Sequence, residues 1–159
     1  ITWASDNPDK NHQIPLIKRT QLLRILVKKI SHPKLDLVQE LSNPRTINTL
    51  NKAFKLWPEA NFSFVIGSDL VGEIPKWLNA KSILTKTKIA IAIRDGWPIS
   101  NKQIEEIKKL GGEVELLPIK IPESSSSNFR DKPQEILVPS ELVPTLLEEN
   151  LYGLADNRK

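Results

Sequence analysis

The sequence predicts an α/β fold, a Rossmann-like parallel sheet with helices on both faces. Three observations predict it. Short apolar runs of strand length alternate with longer stretches whose apolar residues recur at helical spacing. Two of those runs, FSFVIG and TKIAIAIR, are apolar almost continuously, as strands covered on both faces are. The segments between them are short and rich in Pro, Gly, Asn and Asp, the residues that turn a chain. The 159 residues fit one domain spanning 1–159 with a real core.

The elements follow in order. ITWAS reads as a short strand, and the polar stretch DNPDKNHQIP as the loop after it. Over 16–30, Leu16, Leu22, Leu23, Ile25, Leu26 and Ile30 recur at helical spacing, Pro15 suits a first helical turn, and His32-Pro33 stops the helix. KLDLVQEL alternates like a strand. In NPRTINTLNKAFKLWP, Ile47, Leu50, Phe54 and Trp57 share one helical face. Asn43 or Thr46 can cap this helix and Pro58 ends it. FSFVIG is the third strand, and one or two short helices follow in SDLVGEIPKWLNAKSIL. TKIAIAIR is the fourth strand. Residues 101–110 form a helix that Gly111-Gly112 terminate. EVELLPI is the fifth strand, the ESSSSNFR stretch comes next, and PSELVPTLLEENLYG closes the chain as a helix with Ser140 as its cap.

Composition excludes several function classes. The chain has no cysteine, which removes disulfides and thiolate metal sites and fits a reducing, cytoplasmic setting. Its two histidines, His12 and His32, make a histidine-rich metal site a poor reading. No apolar run approaches the ~18 residues of a membrane span, so no membrane partner is expected. Residues 1–60 carry 10 Lys/Arg against 5 Asp/Glu, and residues 61–159 carry 13 against 14, for a net charge of +4. That modest N-terminal excess can steer an anion. It lacks the dense basic and aromatic block of a nucleic-acid groove, so no nucleic-acid partner is expected.

Polar residues collect at the predicted strand ends, where open α/β sheets bind ligands. The first strand runs into a loop carrying Lys10. The third runs into Gly67-Ser68-Asp69. The fourth ends at Arg94-Asp95-Gly96, and the fifth leads to Ser124–Ser127 and Arg130. Arginines, a lysine, a glycine turn and small hydroxyls suit a phosphate-bearing ligand, because backbone N–H groups bind anions and arginine adds bidentate hydrogen bonds. Asp69 suits a ribose diol, since a carboxylate accepts from two hydroxyls. Taken singly, each has a plainer reading: a tight turn and helix cap at Gly67-Ser68-Asp69, core packing for Trp77, a solvated lysine, a surface arginine, and a serine linker.

The order of seven stretches adds a resemblance. FVIGSDLVGEIPKW resembles the central motif of bacterial nicotinate-nucleotide adenylyltransferases, an apolar strand ending in Gly-Ala-Asp with a tryptophan downstream. WASDNPDK is similar to that family's Pro-Pro-His-Lys loop, with Pro8 and Lys10 kept and Asp9 where histidine is usual. KRTQLLRI resembles the Arg-led helix that follows. NPRTINTL is similar to Ser-Tyr-Thr-x-x-Thr-Leu through Thr46, Thr49 and Leu50. AIAIRDG resembles the strand ending in Arg-x-Gly, SSSNFR resembles Ser-Ser-Thr-x-Ile-Arg, and VPSELVPTLLEENLYG resembles the closing helix that ends in Leu-Tyr. The resemblance covers nearly the whole chain.

The resemblance implies transfer of AMP from ATP to nicotinate mononucleotide, giving deamido-NAD and pyrophosphate, with Mg2+ on the phosphates. It implies that Gly67, Ser68 and Asp69 contact the adenosine ribose region. Ser125, Ser126 and Ser127 with Arg130 would hold the triphosphate, with Phe129 as the inward anchor. Lys10 would sit near the reacting phosphates, so Lys10 and Arg130 are the catalytic candidates. Trp77 would stack on the pyridine ring, Thr46 would meet the nicotinate carboxylate through its backbone N–H, and Arg94 would brace the rim. Arg45 stands where the motif has an aromatic, and its charge would aid carboxylate binding.

One part of the family pattern is absent from the sequence. The first strand with its Gly-Thr/Ser-x-Asp-Pro loop and the His-x-Gly-His turn are not present, and neither His12 nor His32 has a Gly-His context. The chain opens at Ile1 inside what reads as a strand. A preceding βα unit of about 30 residues is therefore expected, and the 159 residues alone are expected to be inactive. Other readings stay open: an adenylyltransferase for nicotinamide mononucleotide or phosphopantetheine, a non-catalytic nucleotide-binding module, or a weak nucleic-acid binder. Homo-oligomer formation is left open.

Overall fold

The computed structural model describes residues 1–7, 12–122 and 126–157, save the side chains of 126–128 and 157. In chain order its regular elements are α1 (Leu16–Ile30), α2 (Thr46–Leu56), β1 (Ser63–Gly67), α3 (Ala80–Leu84), β2 (Lys88–Arg94), α4 (Asn101–Lys109), β3 (Glu113–Ile121), α5 (Ser126–Asp131) and α6 (Val143–Glu148), with short 3-10 turns between them. The chain divides into two compact units. One joins Ile1–Pro44 to Ser124–Lys159, and the other is Arg45–Glu123.

The unit Arg45–Glu123 holds a three-stranded parallel sheet in the order β1-β2-β3. Its central strand reads in the sequence as a continuous apolar run for a physical reason. Successive side chains point to opposite faces, and Ile89, Ala90, Ile91 and Ala92 of β2 are all buried, so both faces of this strand are covered. On one side Ile89 and Ile91 pack with Ile66 of β1, Leu84 of α3, Ile107 of α4, Val71 and Ile74. Burying each such isoleucine contributes about 1.5–3 kcal/mol. A second cluster joins Ile47 and Leu50 of α2 to Ile83 of α3, with Phe54, Phe64 and Trp77 against it.

Two local signals shape this unit. Ser100 caps α4: its Oγ accepts the Gln103 N–H at 3.3 Å, and Gln103 Oε1 accepts the Ser100 N–H at 2.9 Å, a reciprocal capping box. At the other end Gly111, with φ of 86°, takes the left-handed turn that lets its N–H reach the Lys108 carbonyl at 2.9 Å. The register of β2 with β3 is irregular. Ile91 pairs with Leu116 but Ile93 pairs with Lys120, so Leu117, Pro118 and Ile119 lie opposite Ala92 alone. Pro118 has no N–H for a ladder and falls in this irregularity, where such a residue is tolerated.

The unit Ile1–Pro44 with Ser124–Lys159 is built on α1, which runs Leu16–Ile30 as its apolar spacing predicts. Ser31 ends α1 in a left-handed conformation, φ 47°, with its N–H on the Val27 carbonyl at 3.1 Å. Ile14 and Leu22 pack with Leu142, Leu146 and Leu154, and Phe129 stands edge-on to Tyr152 with ring centroids 5.5 Å apart. Lys29 pairs with Glu141 at 3.7 Å, and Lys18 pairs with Glu149.

Three expectations are corrected. ITWAS and KLDLVQEL do not form strands: they meet in one parallel bridge, Thr2 with Leu37. Beyond it side chains replace the ladder. Gln39 accepts the Ala4 N–H at 2.9 Å and donates to the Ala4 carbonyl at 3.0 Å, where the Ser42 hydroxyl also donates at 2.9 Å. FSFVIG is a strand but is not buried on both faces; it is an outer strand of the described sheet, and Val65 is 62% exposed. The closing helix is only Val143–Glu148, and its cap position is Leu142 rather than Ser140. Pro139 and Pro144 restrict the backbone there, and the Leu142 N–H bonds to the Pro139 carbonyl in a turn.

Candidate functional site

The unit Arg45–Glu123 gathers polar groups at the carboxyl ends of β1 and β2. β1 ends at Gly67, and Ser68–Leu70 turn at once into a 3-10 helix. That turn brings the Asp69 carboxylate back over the strand end. A Cβ added to Gly67 would collide with Asp69 Oδ1, so the position admits only glycine while Asp69 keeps this pose. Asp69 Oδ2 accepts from Arg94 Nη1 at 2.9 Å, and both side chains are about a quarter exposed. This charge-assisted contact joins the ends of two neighbouring strands.

Ser68 completes the arrangement. It is buried, its Oγ accepts the Arg94 backbone N–H at 2.9 Å, and its hydroxyl donates to the Trp97 carbonyl at 2.7 Å. Residues 94–97 turn tightly, with Gly96 at φ 80° and the Trp97 N–H on the Arg94 carbonyl at 3.1 Å. The Trp97 side chain is 52% exposed. The Asp95 N–H reaches the Ile121 carbonyl of β3 at 2.9 Å, so all three strands meet around this turn.

The structure therefore brings Arg94 together with Gly67-Ser68-Asp69, two stretches the sequence singles out separately. Sequence reasoning missed Trp97, whose carbonyl takes part through its backbone and leaves no mark on residue type. Arg94 braces Asp69 in this structure. Trp77 ends the 3-10 turn Ile74–Lys76, is half-buried, and stands edge-on to Phe64 of β1 with ring centroids 6.1 Å apart. It packs in the same cluster as Ile47 from the first turn of α2. Thr46 is the first residue of α2, where Arg45 occupies the cap position without a side-chain capping bond; Thr46 is half-buried and Arg45 exposed.

The other candidates lie in the unit Ile1–Pro44 with Ser124–Lys159. Lys10 and Ser125 fall outside the described residues. Ser126 and Ser127 open α5, and their side chains fall outside the description as well. Arg130 sits half-buried in the last turn of α5. Burial pushes the Tyr152 phenol above its ordinary pKa, and the positive charges of Arg19 and Arg130 pull it the other way. Arg19 is held by the Ser5 carbonyl and by Asp6, 3.5 Å away. Among the described residues no group of three or more His, Cys, Asp or Glu side chains could hold a metal ion, and no helix is long and apolar enough to cross a membrane.

No family model matches the chain. Individual relatives do. A protein of Synechocystis sp. named probable nicotinate-nucleotide adenylyltransferase is 27% identical over 165 residues, covering 94% of this chain and 82% of the relative. A protein of the same name from Hydrogenovibrio crunogenus is 22% identical over 152 residues, covering 85% of this chain and 73% of the relative. Among solved structures, Plasmodium falciparum nicotinic acid mononucleotide adenylyltransferase complexed with NaAD superposes with a TM-score of 0.71 at 19% identity, covering 96% of this chain and 82% of that one. The same enzyme complexed with APC gives 0.68 at 20%.

The parallel sheet, the polar strand ends and these superpositions define a Rossmann-like α/β protein. The named relatives then take the comparison one step further: over 94% and 85% of its length the chain is similar to proteins named probable nicotinate-nucleotide adenylyltransferase.

Proposed function

We propose that this chain handles the nucleotides in transfer of AMP from ATP to nicotinate mononucleotide, a step of NAD biosynthesis. The phosphate oxygen of the mononucleotide forms a bond to the α-phosphorus of ATP, the bond from that phosphorus to the β-phosphate oxygen breaks, and pyrophosphate leaves. No covalent enzyme intermediate is required, so the protein's work is positioning and charge stabilisation. Mg2+ arrives on the triphosphate as part of the substrate.

The observation that carries this reading is the Asp69–Arg94 pair over Gly67, at the strand ends where α/β sheets take their ligands. Glycine lets a ribose approach the backbone, and Asp69, pre-set by Arg94, accepts from the ribose hydroxyls. In the same unit, the indole of Trp77 offers a face for the pyridine ring. The start of α2 at Arg45-Thr46 turns a positive dipole end toward the nicotinate carboxylate. By the resemblance, Ser125, Ser126, Ser127, Arg130 and Lys10 serve the phosphates. The lack of cysteine accords with a cytoplasmic enzyme.

The sequence contains no His-x-Gly-His turn, the element the resemblance assigns to the pentavalent transition state. The second reading is a nucleotide-binding module without turnover. Isothermal titration of the 159-residue chain with ATP and with nicotinate mononucleotide, beside a chromatographic assay for deamido-NAD, tests both. The expected result is binding of both nucleotides with deamido-NAD below detection. Trp77→Ala should weaken the mononucleotide about tenfold or more, as loss of a base-stacking aromatic does. Absence of binding by either nucleotide would refute the proposal, and deamido-NAD formation would dispose of the module reading.

A further inference from the structure

We infer that Ser68 is a positioning residue, whose buried hydroxyl locks the 94–97 turn to the end of β1 and so fixes Arg94 against Asp69. The register shows why such a device is needed. The β1–β2 ladder ends where Gly67 lies beside Ala92, two residues short of Arg94. Past that point β1 turns away and offers no carbonyl to the Arg94 N–H. Ser68 Oγ takes the carbonyl's place at 2.9 Å.

A hydroxyl has one donor and acceptor capacity besides, and both are used here. Accepting from Arg94 directs the hydroxyl proton to the Trp97 carbonyl at 2.7 Å, so one side chain, 5% exposed, holds both ends of the turn. Neighbouring residues then grip Arg94 in two ways: Ser68 by its backbone and Asp69 by its guanidinium. Alanine at this position fills the space but leaves a donor and an acceptor without their partner, and buried polar groups of that kind reorganise.

The consequence for ligand affinity rests on the nucleotide reading above; the lock itself does not. The test is amide hydrogen exchange of the whole 159-residue chain by NMR, with ATP affinity measured on the same samples. The Asp95 N–H, held by the Ile121 carbonyl at 2.9 Å, is the internal reference. Ser68→Ala should speed exchange at Arg94 about tenfold while Asp95 changes less than about twofold, and should weaken ATP about tenfold, since about 1.4 kcal/mol is one decade. Ser68→Cys keeps nearly the same volume with a weaker donor and acceptor and should give the same pattern at lower amplitude. It carries the test alone should Ser68→Ala not fold. Unchanged exchange at Arg94, or Arg94 and Asp95 accelerating together, would overturn the proposal; a selective response at Arg94 with ATP affinity untouched would support the lock and overturn its consequence for nucleotide affinity. A wild-type chain that binds no ATP, with the selective Arg94 response present, would sink the nucleotide reading and support the lock.

Discussion

Gly67→Ala should cost little on its own and should do so only through Asp69. The backbone at Gly67 has φ −78° and ψ 155°, which any residue adopts, so alanine brings no backbone strain. Its Cβ instead meets the Asp69 carboxylate, the mobile end of a side chain that can swing away. That motion breaks the 2.9 Å contact with Arg94. A charge-assisted bond at a partly exposed position is worth about 1 kcal/mol after solvent screening. Alanine returns about 0.4–1 kcal/mol by restricting the unfolded chain. The net change is about 0–0.6 kcal/mol of destabilisation. In an Asp69→Ala background nothing stands in the way, and the same substitution should stabilise by about 0.5 kcal/mol. Urea denaturation of the wild type, both single variants and the double variant gives the coupling directly, expected at about 1 kcal/mol. Equal effects of Gly67→Ala in the two backgrounds would refute the steric argument and, with it, the reason given for glycine at this strand end.

Two further outcomes concern groups away from that rim. Burial raises the phenol pKa of Tyr152, the single tyrosine, so its contribution to stability is complete below the ordinary value of about 10 and is lost as pH climbs through the folded value. Ultraviolet absorbance should show a tyrosine titration displaced upward, and Tyr152→Phe should flatten the alkaline fall in melting temperature; an unaltered slope would show that Tyr152 is not its source. Ser100→Ala removes half of the capping box on α4 and should destabilise by about 1 kcal/mol, with faster amide exchange in the first turn of that helix. A loss under about 0.2 kcal/mol would mean that Gln103 alone suffices.

What the sequence revealed followed how local each cause is. α1 and α2 were legible almost to the residue, because apolar spacing and flanking prolines act within one turn. β2 was legible because a strand covered on both faces is apolar on both. The same rule failed for FSFVIG, since the composition of a strand does not say whether both of its faces are covered. ITWAS and KLDLVQEL failed for another reason: the amide of Gln39 occupies the ladder positions of Ala4, a contact over 35 residues that no local pattern encodes. At the rim, residue types marked Gly67, Ser68, Asp69 and Arg94. Their pairing was not legible, nor was the carbonyl of Trp97, because hydrogen bonds spanning 25–29 residues depend on the register of β1 and β2.

The irregular stretch of β3 bears on how the chain behaves in concentrated solution. Leu116 and Ile119 are 56% and 53% exposed beside Pro118 on an outer strand of the described sheet, which would otherwise suit recruitment of a second molecule by strand addition. The missing N–H of Pro118 and the two-residue slip interrupt the row of donors an incoming strand would need to follow. The kink thereby acts as a guard against self-association, and a straight, proline-free β3 would forfeit it.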